Sequence, residues 1–145
     1  MKALLQRVAQ ARVEVAGETV GEIASGLLVF LGVEQGDDAG RAERLAARAL
    51  DLRIFPDAAK PMNRSLRDVG GAVLVVSQFT LAADTRSGRR PGFSTAAAPA
   101  LAEPLYAAFV EACRSAGLVT RTGRFGAEMQ VHLVNDGPVT FLLES

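Results

Sequence analysis

The chain has 145 residues, 49% of them hydrophobic, and its 16 basic residues are balanced by 16 acidic ones. This length predicts a single domain over residues 1–145, and the hydrophobic fraction excludes a disordered chain. A net charge of zero excludes a protein that coats nucleic acid through a broad positive field, but it allows a local cluster that grips one RNA end.

The rare reactive side chains restrict the chemistry further. Cys113 is the one cysteine and His132 the one histidine, so we expect no disulfide within the chain and no zinc site of ordinary His/Cys composition. Phosphate-loop, dinucleotide-binding and HExxH motifs are missing, and we expect no metal and no cofactor. The N-terminal residues reach Arg7 without a long apolar run, so we expect neither a signal peptide nor a membrane segment. We also expect a cytoplasmic location.

The first part of the chain predicts three strands and a helix. Alternating apolar residues predict a hairpin of strands over 4–15 and 19–23, and the apolar run 27–31 is typical of a strand buried on both faces. Asp38 is placed as a helix N-cap, and the apolar residues after it recur at helical spacing. Residues 39–53 are therefore predicted to form an amphipathic helix.

The second part predicts another strand, a second helix and two closing strands. After a polar, irregular segment over 56–68, the predicted elements are a buried strand over 73–76 that runs into 77–81, a loop over 84–92, a helix over 99–115, and strands over 129–134 and 139–143 around Asn135–Pro138. The order β-β-β-α-β-α-β-β predicts an α/β fold, with a mixed sheet and two helices that pack together on one face.

Polar residues follow the buried strand 73–76, in the segment Ser77-Gln78-Phe79-Thr80-Leu81. Ligands in sheet proteins often bind at strand ends, where polar side chains meet free backbone N–H groups. Most strand ends have no chemical role, however. Taken by itself, the segment is therefore better interpreted as a strand that frays into polar residues than as a binding site.

The segment Asn135-Asp136-Gly137-Pro138-Val139-Thr140 is the second unusual feature. Asn-Asp-Gly is good turn chemistry, and spacing alone favours a hairpin turn. Pro138 is the anomaly, because it stands where the next strand should begin and has no N–H for the strand ladder. A Gly-Pro bond can be cis at modest cost, and a folded protein that keeps one usually has a use for it.

Three arginines, Arg86, Arg89 and Arg90, share the loop over 84–92. A solvated loop is the usual outcome for such a charge group. The functional interpretation is a phosphate grip, since the guanidinium fork suits bidentate contact with phosphate. We predict that these arginines contribute more to the affinity for an RNA partner than to stability.

Together, Ser77–Leu81 and Asn135–Thr140 resemble the two signature motifs of the D-aminoacyl-tRNA deacylase family. Two separated motifs in a matching frame are far more specific than either alone. Gly92 departs from the pattern, which has serine there. The similarity extends over the whole chain and includes Gln6–Val8, Gly26–Leu28, Met62–Asn63, Arg90–Pro91, Thr122–Phe125 and Met129–Val131.

The resemblance implies a homodimer with a compact α/β fold, in which the sheets form two layers beside a helical layer. The active site would lie at the subunit interface. Gly137-Pro138 would be cis and reach from one subunit into the pocket of the other, where its carbonyl oxygens exclude an L side chain. The expected partner is the aminoacylated 3′ end of tRNA, with D-aminoacyl-tRNA as substrate, glycyl-tRNA as an open possibility, and neither DNA nor a membrane involved.

The resemblance also assigns residues to the site. Gln78, Phe79 and Thr80 are expected to surround the scissile ester as the catalytic segment. In the family, the reaction is thought to depend on the 2′-hydroxyl of the terminal ribose, and the composition agrees, because a threonine nucleophile needs a base and no feature places His132 beside Thr80. The residues expected to bind substrate are Arg7, Ser77, Phe125, Met129, Gly137 and Pro138.

Two other function classes stay open at this stage. A non-catalytic module that binds an RNA end could use the arginine loop and the strand-end pocket without hydrolysis. A thiol or histidine hydrolase of small esters would instead depend on Cys113 or His132.

Overall fold

The computed structural model describes all of residues 1–145. A 3₁₀ turn, Phe79–Ala82, follows the fourth strand. The helices and strands are β1 (Lys2–Val15), β2 (Glu18–Ile23), β3 (Gly26–Gly32), α1 (Ala39–Asp51), α2 (Leu66–Val69), β4 (Ala72–Ser77), α3 (Pro99–Ser115), β5 (Thr120–Thr122) and β6 (Gln130–Glu144). No helix is long and apolar enough to cross a membrane.

The strands form one mixed sheet of six strands in the order β2-β1-β3-β4-β5, with β6 paired to β1. β1 is antiparallel to β2, β3 and β6. β4 is parallel to both β3 and β5. The predicted α/β class and mixed sheet are therefore confirmed.

The sheet curls until its two edges approach each other, and this produces the two layers. β1 pairs with β3 over residues 2–8 and with β2 over residues 11–15. A β-carbon added at Gly21 of β2 would lie 2.2 Å from the backbone oxygen of Thr122 in β5, so β2 lies directly over β5. Buried side chains such as Val13 and Leu74 fill the space between the layers.

The helical layer covers the other face of the sheet. α1 and α3 pack against each other, as predicted. Leu5, Val75, Leu45 and Phe109 belong to one buried cluster that joins the sheet to these helices. Asp38 caps α1 as predicted, because its carboxylate accepts a hydrogen bond from the Arg41 backbone N–H at 2.7 Å.

Three short elements differ from the sequence prediction. The polar segment 56–68 contains the start of α2, capped by reciprocal hydrogen bonds between Ser65 and Asp68. The strand predicted to run through 77–81 ends at Ser77 and continues as the 3₁₀ turn. β5 was not predicted at all. Elements of three or four residues are too short to show a hydrophobic period, so tertiary pairing decides them.

The hairpin predicted at the C-terminus is wrong. Residues 130–135 pair with 8–14 of β1, and residues 140–144 pair with 2–6 of the same strand. Both halves are antiparallel to β1 and therefore run in the same direction as one long strand. Residues 136–139, between the two halves, leave the ladder as a bulge. The bulge lies where the pairing of β6 with β1 shifts register.

The helical layer generates a stability prediction. Phe109 is 0% exposed in the middle of α3, whereas Leu101 on the same helix is 42% exposed. Phe109→Ala is expected to lower the free energy of unfolding by about 3–5 kcal/mol, because it leaves a cavity under the sheet. Leu101→Ala is the control and should change it by about 0.5 kcal/mol or less. Equal midpoints in urea titrations of the two variants would contradict this packing.

Candidate active site

A cleft of about 630 Å³ opens where β4 ends. It lies between the residues that follow β4, the start of α3 and the turn that precedes β6. Most of its lining is apolar, and none of the lining side chains is ionisable. The lining includes Val76, Ser77, Gln78, Phe79, Phe93, Phe125 and Met129.

The end of β4 forms one wall of the cleft. The Gln78 backbone N–H donates to Leu31 at 2.8 Å, which ends the pairing of β4 with β3. The chain then turns, and Phe79 is left 55% exposed with its ring centroid 5.1 Å from that of Phe93. Two aromatic rings therefore border the mouth of the cleft.

The 3₁₀ turn presents backbone donors at this wall. Its first internal hydrogen bond is donated by the Leu81 N–H to the Gln78 oxygen at 3.2 Å, so the N–H groups of Phe79 and Thr80 have no partner within the turn. The Gln78 side-chain amide donates to the Thr80 hydroxyl at 2.5 Å. That hydroxyl oxygen is thus already an acceptor, and no basic side chain contacts it.

The opposite wall is formed by the turn before β6. The Arg124 backbone N–H donates to the Met129 sulfur at 3.4 Å, and a β-carbon at Gly123 would lie 2.7 Å from that sulfur. The Phe125 ring packs 5.8 Å from Tyr106, whose hydroxyl donates to the Val75 oxygen at 2.8 Å. Burial raises the pKa of Tyr106 to about 12, so this group remains a neutral donor.

A third wall, residues 93–97, is held by the segment after β3. The Gln35 side-chain amide donates to the Ser94 oxygen at 2.7 Å, and the Gln35 N–H donates to the Thr95 oxygen at 2.9 Å. The Ala97 N–H donates to the Val33 oxygen at 3.0 Å. These bonds fix irregular backbone beside the apolar cleft.

The bulge of β6 is anchored by Arg7. Its Nε donates to the Asp136 backbone oxygen at 3.0 Å, and its Nη1 donates to the Ile54 backbone oxygen at 2.6 Å. The Asn135 side chain closes the bulge by accepting the Val139 N–H at 3.1 Å. The side chain of Arg7 is only 11% exposed, so its guanidinium interacts mainly with these backbone oxygens and little with solvent.

Gly137 and Pro138 form the exposed tip of this bulge, and the peptide bond between them is cis. Gly137 has φ +136°, a conformation that side chains rarely adopt. A β-carbon at this position would also lie 2.7 Å from the Val139 side chain and 3.2 Å from Arg7 Nη2. The bulge therefore requires glycine at its tip.

The structure separates the predicted site residues into two groups. Ser77, Gln78, Phe79, Phe125 and Met129 line the cleft, and Thr80 directly follows its wall. The other three lie at the bulge, outside the cleft of this chain: Arg7, Gly137 and Pro138.

Some residues of the site were not predicted from the sequence. Ala97, Pro99 and Ala102 line the cleft, but small apolar residues at a helix start have no chemical signature. Phe93 lies two residues after the Arg90-Pro91 pair, which supports the family resemblance, and this proximity is the one sequence signal that pointed to Phe93. Ile54 anchors Arg7 through its backbone oxygen, a role that any residue type could fill.

Neither reactive side chain of the alternative hydrolase lies at the cleft. Cys113 is 0% exposed in α3, and burial raises the pKa of its thiol to about 12, so it remains protonated. His132 pairs across the sheet with Arg12, and its Nε2 lies 3.3 Å from a carboxylate oxygen of Glu14. The geometry gives no support to a thiol or histidine hydrolase.

Comparison with known proteins identifies the family of the chain. A family model described as D-Tyr-tRNA(Tyr) deacylase matches residues 4–144. A D-aminoacyl-tRNA deacylase from Stutzerimonas stutzeri is 62% identical over 145 residues, which cover all of both chains. Another, from Syntrophotalea carbinolica, is 61% identical and covers 100% of this chain and 97% of its own.

Two solved structures resemble the fold over nearly the full length. The c-Myc DNA Unwinding Element Binding Protein has a TM-score of 0.93 at 40% identity, with 100% of this chain and 99% of that chain covered. A probable eukaryotic D-amino acid tRNA deacylase has a TM-score of 0.84 at 18% identity, with 98% and 97% covered. The second likeness, at its low identity, is evidence for the fold alone.

The anchoring of the bulge generates a prediction. Arg7→Ala removes two charge-assisted hydrogen bonds to backbone oxygens and is expected to lower stability by about 1.5–3 kcal/mol. Amide hydrogen exchange at Val139 should accelerate, since the bulge loses its anchor. Arg12→Ala is the control, because the guanidinium of Arg12 bonds only the surface carboxylate of Glu14. The same exchange rate at Val139 in both variants would refute the anchoring role.

Proposed function

This chain belongs to the D-Tyr-tRNA(Tyr) deacylase family, and from that premise we propose that a second copy of the chain completes its cleft and makes the hydrolysis selective for D-aminoacyl esters. The enzyme is a hydrolase, and the ester between a D-amino acid and tRNA is its substrate.

The cleft suits an ester that needs little more than positioning. We propose that the backbone N–H groups of Phe79 and Thr80, which have no partner in the 3₁₀ turn, stabilise the negative oxygen that forms when water attacks the ester carbonyl. One such donor is worth about 2.7–4 kcal/mol in other hydrolases. Holding the reactive ester against these donors then contributes the rest of the acceleration.

No side chain in the cleft is suited to act as the nucleophile. The Thr80 hydroxyl already accepts a hydrogen bond from Gln78, and a hydroxyl needs a neighbouring base to become reactive. We propose that water is the nucleophile and that the 2′-hydroxyl of the terminal ribose assists it. The hydroxyl accepts a proton from the attacking water and passes its own proton to the 3′ oxygen, which leaves as the bond to the carbonyl carbon breaks. The substrate itself then contributes a polar group that the protein lacks.

The observation that supports the second copy best is an apolar row across the face of the sheet that is turned away from the helical layer, buried at Val76 and exposed at its β6 end. Leu4 of β1 stands directly opposite Leu142 of β6 on one side and Phe30 of β3 on the other, and Phe30 stands opposite Val76 of β4. Directly opposed residues point to the same face. Leu142 is 51% exposed, and Val76 lines the cleft, so the row runs from the sheet edge into the site.

A two-fold dimer on this row would join the two halves of the site. In a two-fold interface, the patch that contacts the partner is contacted in return by the same patch. The bulge of β6 lies beside Leu142 at one end of the row, and the cleft lies at the other end. We therefore propose that Gly137-Pro138 of one subunit enters the cleft of its partner. Within a single chain, Gly137 and Pro138 do not line the cleft.

This arrangement would also select chirality. Attraction of one enantiomer through apolar contact is worth only about 1–3 kcal/mol, which is too little to spare the abundant L-aminoacyl-tRNAs. Repulsion by a fixed backbone is more effective, because a side chain can rotate away. The tip at Gly137 has no β-carbon, and Arg7 and Asn135 hold its base, so its carbonyl oxygens can approach the α-carbon closely.

The same argument extends to glycine. An element that excludes a side chain on the L side of the α-carbon has nothing to exclude in a glycyl ester. We propose that glycyl-tRNA is accepted together with D-aminoacyl-tRNA.

Deacylation assays test the chemical step. Wild-type protein is expected to hydrolyse D-Tyr-tRNA and glycyl-tRNA but not L-Tyr-tRNA, and Thr80→Ala should retain substantial activity because its hydroxyl is not the nucleophile.

A tRNA that ends in 2′-deoxyadenosine, with the amino acid on the 3′ oxygen, should bind but be cleaved poorly. Binding of D-Tyr-tRNA without turnover would support a simple RNA-end binding module. Complete loss of turnover in Thr80→Ala, with binding intact, would restore Thr80 as nucleophile.

The dimer model is tested with a charge placed in the apolar row. Leu142→Asp is expected to give a particle of 15.2 kDa in sedimentation experiments, together with loss of D-selective turnover, because the partner's bulge is withdrawn. Val119→Asp is the matched control, since Val119 is 56% exposed outside the row. A wild-type protein that sediments as a monomer and still rejects L-Tyr-tRNA would overturn the model.

A further inference from the structure

The loop over 84–92 projects from the rim of the cleft. It connects Phe79 and Phe93, which both line the cleft and whose rings meet at the mouth. Two backbone hydrogen bonds close its base, from the Asp84 N–H to Gly92 at 2.7 Å and from the Gly92 N–H to Asp84 at 2.9 Å. The residues between them are exposed, and Phe93, which directly follows Gly92, lines the cleft, so the base of the loop lies at its rim.

The three arginines of this loop are not equivalent. Arg86 forms a bidentate ion pair with Asp84, with Nε at 2.9 Å and Nη2 at 2.8 Å from the two carboxylate oxygens. This pair lowers the pKa of Asp84 and ties Arg86 to the base of the loop. Arg89 and Arg90 are exposed and form no ion pair, so their charges remain available to a ligand.

The opposite rim presents another free arginine. Arg124 is exposed and forms no ion pair, while its neighbours Phe125 and Gly126 line the cleft. Its backbone N–H donates a hydrogen bond to the sulfur of Met129, another lining residue, so the backbone of Arg124 is fixed to this wall of the cleft. Arginines on two sides of one apolar cleft are placed to hold a strand that passes between them.

The net charge of zero hides this local excess. Five other arginines are paired with carboxylates within the chain, namely Arg7, Arg12, Arg41, Arg67 and Arg114. Around the cleft the balance is different: segments 84–103 and 119–128 contain five arginines against three acidic residues, and one of the three, Asp84, is already paired with Arg86. The mouth of the cleft is therefore electropositive, although the molecule as a whole is neutral.

We propose that Arg89 and Arg90 on one rim and Arg124 on the other hold the phosphates of the single-stranded 3′ end of the tRNA, while Arg86 serves as an internal staple of the loop. Cationic side chains beside exposed aromatic rings are the combination that single-strand binding sites use. Guanidinium groups bind phosphate through two parallel hydrogen bonds. This inference rests on the proposed function and adds the surface that seats the substrate.

The test compares two substrates that share the ester and differ in phosphates. D-Tyr-tRNA has the phosphodiester chain, and 3′-O-D-tyrosyl adenosine has none. For the Arg89→Ala/Arg90→Ala variant, the ratio of kcat/KM on tRNA to kcat/KM on the adenosine ester is expected to fall about tenfold or more at low salt. Arg124→Ala should lower the same ratio. The control is Arg114→Ala, which removes one charge about 18 Å along α3 from Ala102, the nearest lining residue of that helix.

Salt dependence gives an independent measurement. Titration of each variant with uncharged tRNA at several KCl concentrations reads binding without hydrolysis. The slope of log Kd against log [KCl] is expected to decrease by about 0.7 for each phosphate of the single strand that the variant no longer binds. An unchanged slope and an unchanged ratio in the double variant would overturn the inference, as would competition by duplex DNA that equals competition by tRNA.

The two proposals fail separately. Wild-type protein that cleaves neither substrate would refute the proposed function, while the tRNA titration would still decide whether the arginines hold phosphates. An equal loss on both substrates in the double variant would mean that these arginines act on the ester itself and not on the strand, which would overturn the phosphate assignment.

Discussion

The pairing of β1 with three other strands is the constraint on which the rest of this structure depends. One strand of 14 residues accepts β6 along its whole length and exchanges β3 for β2 midway. β6 pairs with β1 through two register shifts, and residues 136–139 leave the ladder there as a bulge. On its other side, β1 passes from β3 to β2 where the sheet curls into two layers. The curl and the bulge that presents Gly137 therefore both lie along β1.

The candidate active site contains few groups that could perform chemistry by themselves. Its cleft is lined mainly by apolar side chains, and the polar atoms that face it come from Ser77, Gln78 and backbone N–H groups. In the mechanism that we propose, positioning and electrostatic stabilisation act on an ester that is already reactive. A site of this type depends on rigid backbone, which explains why hydrogen bonds from Gln35 and Arg7 hold the irregular segments around it.

Much of the fold and part of the site were predictable from local patterns. The long strands and both main helices have hydrophobic periods, and Asp38 has the chemistry of an N-cap, so α1, α3 and β1–β4 were found close to their observed bounds. Short elements such as β5 and α2 were not found, because their existence depends on neighbours far away in sequence. The hairpin at Asn135–Pro138 was predicted wrongly because local turn chemistry is the same in a hairpin and in a bulge, and only the strand alongside distinguishes them.

The sequence by itself determined the family, through two motifs separated by more than 50 residues, and it determined the residue types that the chemistry needs. Tertiary structure alone decided how they are grouped. It brought Ser77–Phe79 together with Phe125 and Met129, kept Gly137 on another surface, and paired Arg86 while leaving Arg89 free. The physical reason is that composition and periodicity report the preferences of a residue and its near neighbours, whereas distances between remote segments are set by strand register and by the curl of the sheet.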